Sequence, residues 1–188
     1  GYVGDDEPGR SLTETLQAAG VQCDVVTVDE WSTIVKLRLL SQRQQLIRAD
    51  FEEPLPTLGM SERLATLQNK AEKYLAECDV LILEDYDKGV IDEPAALLAA
   101  ANQAGVKTVV DPKMKALSTY RGASIIKPNE KEFQYNVGAE VSGERLSQEA
   151  SRLCAELGFA GLVVTRGSDG MEVCSPDETR HIPARPVE

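Results

Sequence analysis

Aromatic residues make up only 5% of this 188-residue chain, with 1 tryptophan and 1 histidine. So sparse a supply leaves the core to aliphatic side chains. A lone His181 cannot supply a histidine-based metal set; it sits in a late strand-like segment and is assigned no chemistry. The 4 cysteines (Cys23, Cys78, Cys154 and Cys174) are scattered, without a C-x-x-C pair. That spacing carries no zinc signature and argues against a disulfide framework, so reduced cysteines in a cytoplasmic protein are expected. Basic residues are outnumbered, 20 against 31 acidic, for a net charge of -11. The balance argues against broad nucleic-acid or anionic-membrane binding, yet leaves room for a small basic pocket. No apolar run approaches the roughly 18 residues of a membrane span. The opening GYVGDDEPGR has neither the basic start nor the apolar stretch of a secretory signal.

What is present is ordinary for a soluble globular domain, 42% hydrophobic and 27% charged, at a length that suits one domain or a little more. GRSLTETLQAAG has helical spacing and stops at Gly20; VQCDVVTV follows as a strand. TIVKLRLLS and QQLIRADFEE alternate with period two and pair as a hairpin over about residues 33 to 53. A long helix is expected from about Ser61 to Ala76. Beyond it the strands DVLILED, VKTVVD, ASIIK and GLVVT alternate with helices, and MEVCS with TRHIPA closes as a second hairpin. Continuous β-branched strands between helices predict an α/β fold with a mostly parallel sheet covered on both faces. The first hairpin reads as an appended flap.

Open α/β sheets bind ligands beyond the carboxyl ends of their strands. Four such ends are polar here: EDYDKG, DPKMK, KPNEKE and TRGSDG. In KPNEKEF, Asn129 and Glu132 have the spacing of a capping box, and the same pair suits magnesium waters and nucleotide phosphates at a positive helix terminus. Both readings stand on the sequence alone. TRGSDG is either a simple turn into the next strand or a nucleotide cradle built from Thr165, Gly167 and Gly170. Asp85, Lys88, Asp111 and Lys113 are solvated loop residues or local ion pairs; the two lysines would also suit a phosphorylated ligand. On the flap, Lys36 and Arg38 share one face, as do Arg48 and Asp50. That face is either solvated or a basic lid over an anionic sugar, and the apolar side (Val35, Leu37, Leu39) suits packing between subunits.

Taken in order, IVKLRLLSQRQQLIRADFEE, EDYDKG, VVDPK, RGASIIKPNEKEF and VVTRGSDGM resemble the ribokinase (PfkB) sugar-kinase superfamily through nearly the whole chain. Within it the chain looks most like the D-glycero-β-D-manno-heptose-7-phosphate kinases, often the N-terminal half of a bifunctional heptose kinase/adenylyltransferase. The resemblance implies a ribokinase-like three-layer fold over residues 1–188 with a β-hairpin lid. It implies ATP-dependent phosphorylation of the anomeric hydroxyl of heptose 7-phosphate, on the route to ADP-heptose for lipopolysaccharide. Asn129, Glu130, Lys131, Glu132, Thr165, Gly167 and Gly170 would then serve ATP, with Glu132 toward Mg²⁺. Lys36, Arg38, Lys88 and Lys113 would contact the sugar phosphate, and the lid would build a homodimer. Two departures shape the expectation. Family members begin with a further strand and a Gly-Gly…Asn segment, and carry a Gly-Ala-Gly-Asp motif whose Asp is the general base. Both are expected outside this chain, the base beyond Glu188, so the domain is expected to be incomplete at both ends and the isolated chain inactive. The rivals are another sugar kinase of the superfamily or a non-catalytic nucleotide-binding or assembly module. Glu84 replaces a small residue usual in the family and puts a sugar contact there in doubt.

Overall fold

A computed structural model describes residues 1–42 and 44–185, which divide into two compact units, Gly1–Lys70 and the chain from Ala71 onward. In the first unit β1 (Tyr2–Gly4) pairs in parallel with β2 (Val26–Val28). The strand at the very start was not foreseen, because three residues carry no periodicity, and the expected strand VQCDVVTV shortens to its last three. Between them α1 (Glu7–Ala18) begins two residues earlier than its apolar spacing predicts. The reason is Asp6: its Oδ1 accepts the Gly9 amide at 2.9 Å, a side-chain cap that apolar periodicity does not reveal. Thr33 locks the same carboxylate, its hydroxyl donating to Oδ1 and its amide to Oδ2, both at 2.7 Å. These bonds, the hydroxyl's first, hold the Asp6 carboxyl below the usual range.

The first hairpin is β3 (Val35–Ser41) against β4 (Gln44–Phe51), antiparallel with an irregularity between Leu39 and Leu40. Its register puts Lys36 opposite Asp50 and Arg38 opposite Arg48 on one face. Leu37 and Leu39 face Ala49 and Ile47 on the other. α2 (Met60–Tyr74) is the long helix expected from about residue 61; its last turn tightens into a 3₁₀ turn, Leu75–Glu77.

From Ala71 onward the chain builds a six-stranded sheet. β5 (Val80–Glu84), β6 (Lys107–Asp111), β7 (Ile125–Ile126) and β8 (Gly161–Thr165) lie side by side in parallel. β9 (Met171–Cys174) and β10 (Thr179–Ile182) extend the edge antiparallel as the expected closing hairpin. α3 (Ala95–Gln103), α4 (Glu130–Val137) and α5 (Gly143–Leu157) connect and cover the strands. α3 starts only after Pro94, later than the run IDEPAALL suggests.

Register places Leu83, Val110, Ile126, Leu162 and Val164 on one face. There they pack with Leu98 of α3, Phe133 of α4, and Leu146, Ala150, Leu153, Cys154 and Leu157 of α5. The α5 residues recur at helical spacing, so one stripe of that helix is buried. The expectation of full cover on both faces is corrected here: Val80, Ile82 and Ile125 on the opposite face are exposed. The physical reason is that α3, α4 and α5 all return to the first face.

Cys154 and Cys174 belong to this core. Burial pushes both thiols up to about 11, whereas Cys23 and Cys78 are only half-buried. A thiolate-selective disulfide reagent at pH 8 is therefore expected to label Cys23 and Cys78 within minutes and the other two only on unfolding. Fast labelling of all four in the native protein would contradict this packing.

Candidate functional site

The strand order brings the carboxyl ends of β5, β6, β7 and β8 together in sequence. At the end of β7, Pro128 removes an amide and biases Lys127 toward extended backbone. Asn129 then caps α4. Its Oδ1 accepts the Glu132 amide at 3.0 Å, and its own amide donates to Glu132 Oε2 at 2.8 Å. The capping box anticipated from the spacing is thus complete in both directions. Among the described residues the Lys131 amide has no acceptor, whereas the parallel bridge to Thr165 takes up the Glu130 amide, so one N–H group opens from the positive end of the helix.

Glu132 is buried, its side chain 5% exposed, and its Oε1 lies 3.8 Å from the Lys113 ammonium. Lys113 in turn lies over the Tyr86 ring, 5.0 Å from its centroid. The structure therefore gathers Lys113, Asn129 and Glu132, drawn from two strand ends, with Tyr86 from a third. At the same ends Lys127 pairs with Asp111 at 2.6 Å. Lys88 sits exposed in the turn after β5.

The turn after β8 is tied to α4. Asn129 bridges to Thr165, and the Thr165 amide donates to the Pro128 carbonyl at 3.0 Å. Arg166 reaches Glu130 at 3.3 Å, Glu172 at 3.5 Å and Asp169 at 3.6 Å. His181 Nδ1 lies 2.8 Å from Glu172. Gly167 has φ 57° with open space at the position of a Cβ. Gly170, at φ 89°, is different: a Cβ there would fall 2.1 Å from the Ile182 carbonyl oxygen, so the chain itself demands this glycine. Lys131 is exposed.

Lys36 and Arg38 lie on the hairpin of the first unit. The Lys36 ammonium meets Asp50 and Glu52, both at 3.3 Å, and hydrogen bonds to them, Asp50 first, raise its pKa. Four residues at these junctions escaped the sequence: Lys127, Arg166, Asn136 and Lys115. Only Lys127 and Arg166 carried a signal, as basic residues at the carboxyl ends of buried strands. Among the described residues no group of three or more His, Cys, Asp or Glu side chains is arranged to hold a metal by itself. A lone buried carboxylate beside an open amide fits Mg²⁺, which keeps several waters and takes further ligands from bound phosphates.

Comparison with known proteins agrees with this architecture. The chain is 41% identical over 186 residues to the bifunctional protein HldE of Ectopseudomonas mendocina, covering 98% of this chain and 38% of the relative. It is 44% identical over 184 residues to the protein of the same name from Shewanella loihica, covering 97% and 38%. The chain thus spans well under half the length of these relatives. Among solved structures, Arabidopsis thaliana ribokinase complexed with ribose and ATP superposes with a TM-score of 0.69 at 20% identity, covering 99% of this chain and 60% of that one. At that identity the match establishes the fold alone. No helix among the described residues is long and apolar enough to cross a membrane. The family model for pfkB family carbohydrate kinases matches residues 1–188, and the chain belongs to that family.

Proposed function

We propose that this chain is part of an ATP-dependent sugar kinase that phosphorylates the anomeric hydroxyl of D-glycero-β-D-manno-heptose 7-phosphate. The product would be the 1,7-bisphosphate, on the route to ADP-heptose and the lipopolysaccharide core. The observation that carries the phosphoryl-transfer reading is the α4 terminus, where the open Lys131 amide, a buried Glu132 and the Lys113 ammonium converge. The heptose assignment rests on the motif resemblance and on the 41% and 44% identity to proteins named HldE.

ATP with Mg²⁺ would supply the phosphoryl group and neutralise charge on it. In this reading the Lys131 amide orients a phosphate oxygen. Glu132 accepts hydrogen bonds from metal-bound water, because its buried carboxylate already holds the Asn129 amide through one oxygen. Lys113, expected from the sequence to contact the sugar phosphate, instead adds positive charge at the same point, because it pairs with Glu132. Thr165 and the Gly167 turn, tied to α4 through Arg166 and Glu130, line the nucleotide. Lys36, Arg38 and Lys88 contact the sugar phosphate. No residue of this chain is assigned as the general base, and a fused adenylyltransferase domain is part of the proposal for the whole protein.

The hairpin supplies the remaining element. Leu37, Leu39, Ile47 and Phe51 are 49%, 51%, 57% and 60% exposed, an apolar face fit for a second copy of itself.

Two outcomes test these assignments in the natural protein that carries this chain. Glu132→Gln keeps an acceptor for the Asn129 amide, so unfolding should shift by less than about 1 kcal/mol. The Mg²⁺ concentration for half-maximal turnover of heptose 7-phosphate should rise at least about tenfold, the scale of one lost charged hydrogen bond. An earlier melt with unchanged Mg²⁺ dependence would leave only the cap. For the hairpin, sedimentation at micromolar protein should show a dimer that Leu39→Asp converts to monomer; an unchanged mass would remove the lid from assembly.

A further inference from the structure

A buried charge network lies beside the proposed phosphate site, and none of the steps above uses it. Asp85, at the end of β5, has a side chain only 1% exposed. Its Oδ2 accepts the Tyr120 hydroxyl at 2.6 Å and the Lys115 ammonium at 3.0 Å, and its Oδ1 accepts the Asp87 amide at 2.7 Å. Lys115 also donates to the Ile91 carbonyl at 3.3 Å and reaches the Asp87 and Asp92 carboxylates at 3.2 and 3.3 Å. Burial and the bond to Asp85 raise the Tyr120 pKa, so the phenol stays a donor. A buried ion pair is a poor source of net stability, because desolvation offsets the attraction. What it does well is allow one arrangement of the segments that carry it.

A second set of bonds reaches the same segment from α4. Asn136 Oδ1 accepts the Leu117 amide at 2.7 Å, and its Nδ2 donates to the carbonyls of Lys115 at 3.0 Å and Glu132 at 2.9 Å. The stretch 113–117 is thus held twice, through the Lys115 side chain to the β5 loop and through its backbone to α4. The Lys115 amide donates to the Lys113 carbonyl at 2.6 Å, which closes the turn on which Lys113 stands. Tyr86 sits between Asp85 and Asp87, both of them bound into the network. The network therefore governs Lys113, which meets Glu132, and the Tyr86 ring over which that ammonium lies.

We infer that Asp85, Lys115 and Asn136 are positioning residues that hold Lys113 against Glu132, so that one ammonium and one carboxylate meet the bound phosphates in a single geometry. The inference rests on the phosphate-site reading. A lysine on a flexible stem loses rotamer freedom whenever it engages a ligand, and a turn set in advance reduces that loss.

The test is titration calorimetry of Mg·ATP with the natural protein carrying this chain, in four forms: parent, Lys113→Met, Lys115→Met and the double variant. Each single change is expected to weaken Mg·ATP about tenfold, as one charged contact to phosphate would. Because Lys115 acts through Lys113, the double variant should bind little worse than either single one. A purely structural Lys115 would lower the melting temperature and leave affinity at the parent value, and that result, like additive losses, overturns the inference. Should Lys115→Met fail to fold, Asn136→Ala leaves the Asp85–Lys115 pair in place and runs the same cycle with the same two outcomes. A parent that binds Mg·ATP with an unaffected Lys113→Met overturns the role of Lys113 and the network with it. A parent that does not bind Mg·ATP overturns the phosphate-site reading first, which separates the two failures.

Discussion

Everything at the candidate site depends on the reciprocal hydrogen bonds between Asn129 and Glu132. An α-helix must leave its first amides without intrahelical acceptors. Here the cap satisfies the Glu132 amide, and the returning carboxylate satisfies that of Asn129. Of the two amides between them, that of Glu130 is taken up by the bridge to Thr165 and that of Lys131 remains open, at the mouth of a parallel sheet and at the positive end of the helix dipole. One local device therefore starts the helix, buries a carboxylate with a partner and leaves an anion-binding edge. The choice between a helix cap and a phosphate site is a false one for these residues.

The ion pairs around this point matter more for placement than for stability. Lys113 is 44% exposed in its pair with Glu132, and Lys127 is 40% exposed in its pair with Asp111. The Lys127–Asp111 pair, partly exposed at both partners, contributes about 0–1 kcal/mol, whereas the Lys113 pair has one buried partner in Glu132. Stability comes instead from the aliphatic layer under the sheet, where α5 lays Leu146, Ala150, Leu153, Cys154 and Leu157 against β8 and β9. With the fold carried by that layer, the charges at the strand ends are free to serve geometry. Arg166 illustrates this, since it joins the first turn of α4 to the β8–β9 turn through Glu130 and Glu172.

Much of this architecture was legible in the residues. Period-two alternation located the hairpin to within two residues at either end, and continuous apolar runs gave β5, β6 and β8. The spacing of Asn129 and Glu132 announced the cap. The short strands were not legible: β1 is three residues long and β7 only two, too few for any period. The one-sided placement of the helices was hidden for another reason, because the strands are equally apolar on both faces. Contacts between distant residues were beyond reach as well. Tyr120 meets Asp85 across 35 residues and Asn136 meets the Leu117 amide across 19, and neither spacing leaves a trace in a local pattern. Gly170 shows the converse, a motif glycine whose requirement is a backbone approach by the strand exit after Ile182.

The account's central claim is that the α4 terminus is where nucleotide phosphate binds. It is tested most directly by a crystal structure of the natural protein carrying this chain with Mg²⁺ and a non-hydrolysable ATP analogue. The account predicts a phosphate oxygen within hydrogen-bond distance of the Lys131 amide, with a metal-bound water on Glu132. Phosphates seated elsewhere, with that amide facing bulk water, would contradict it.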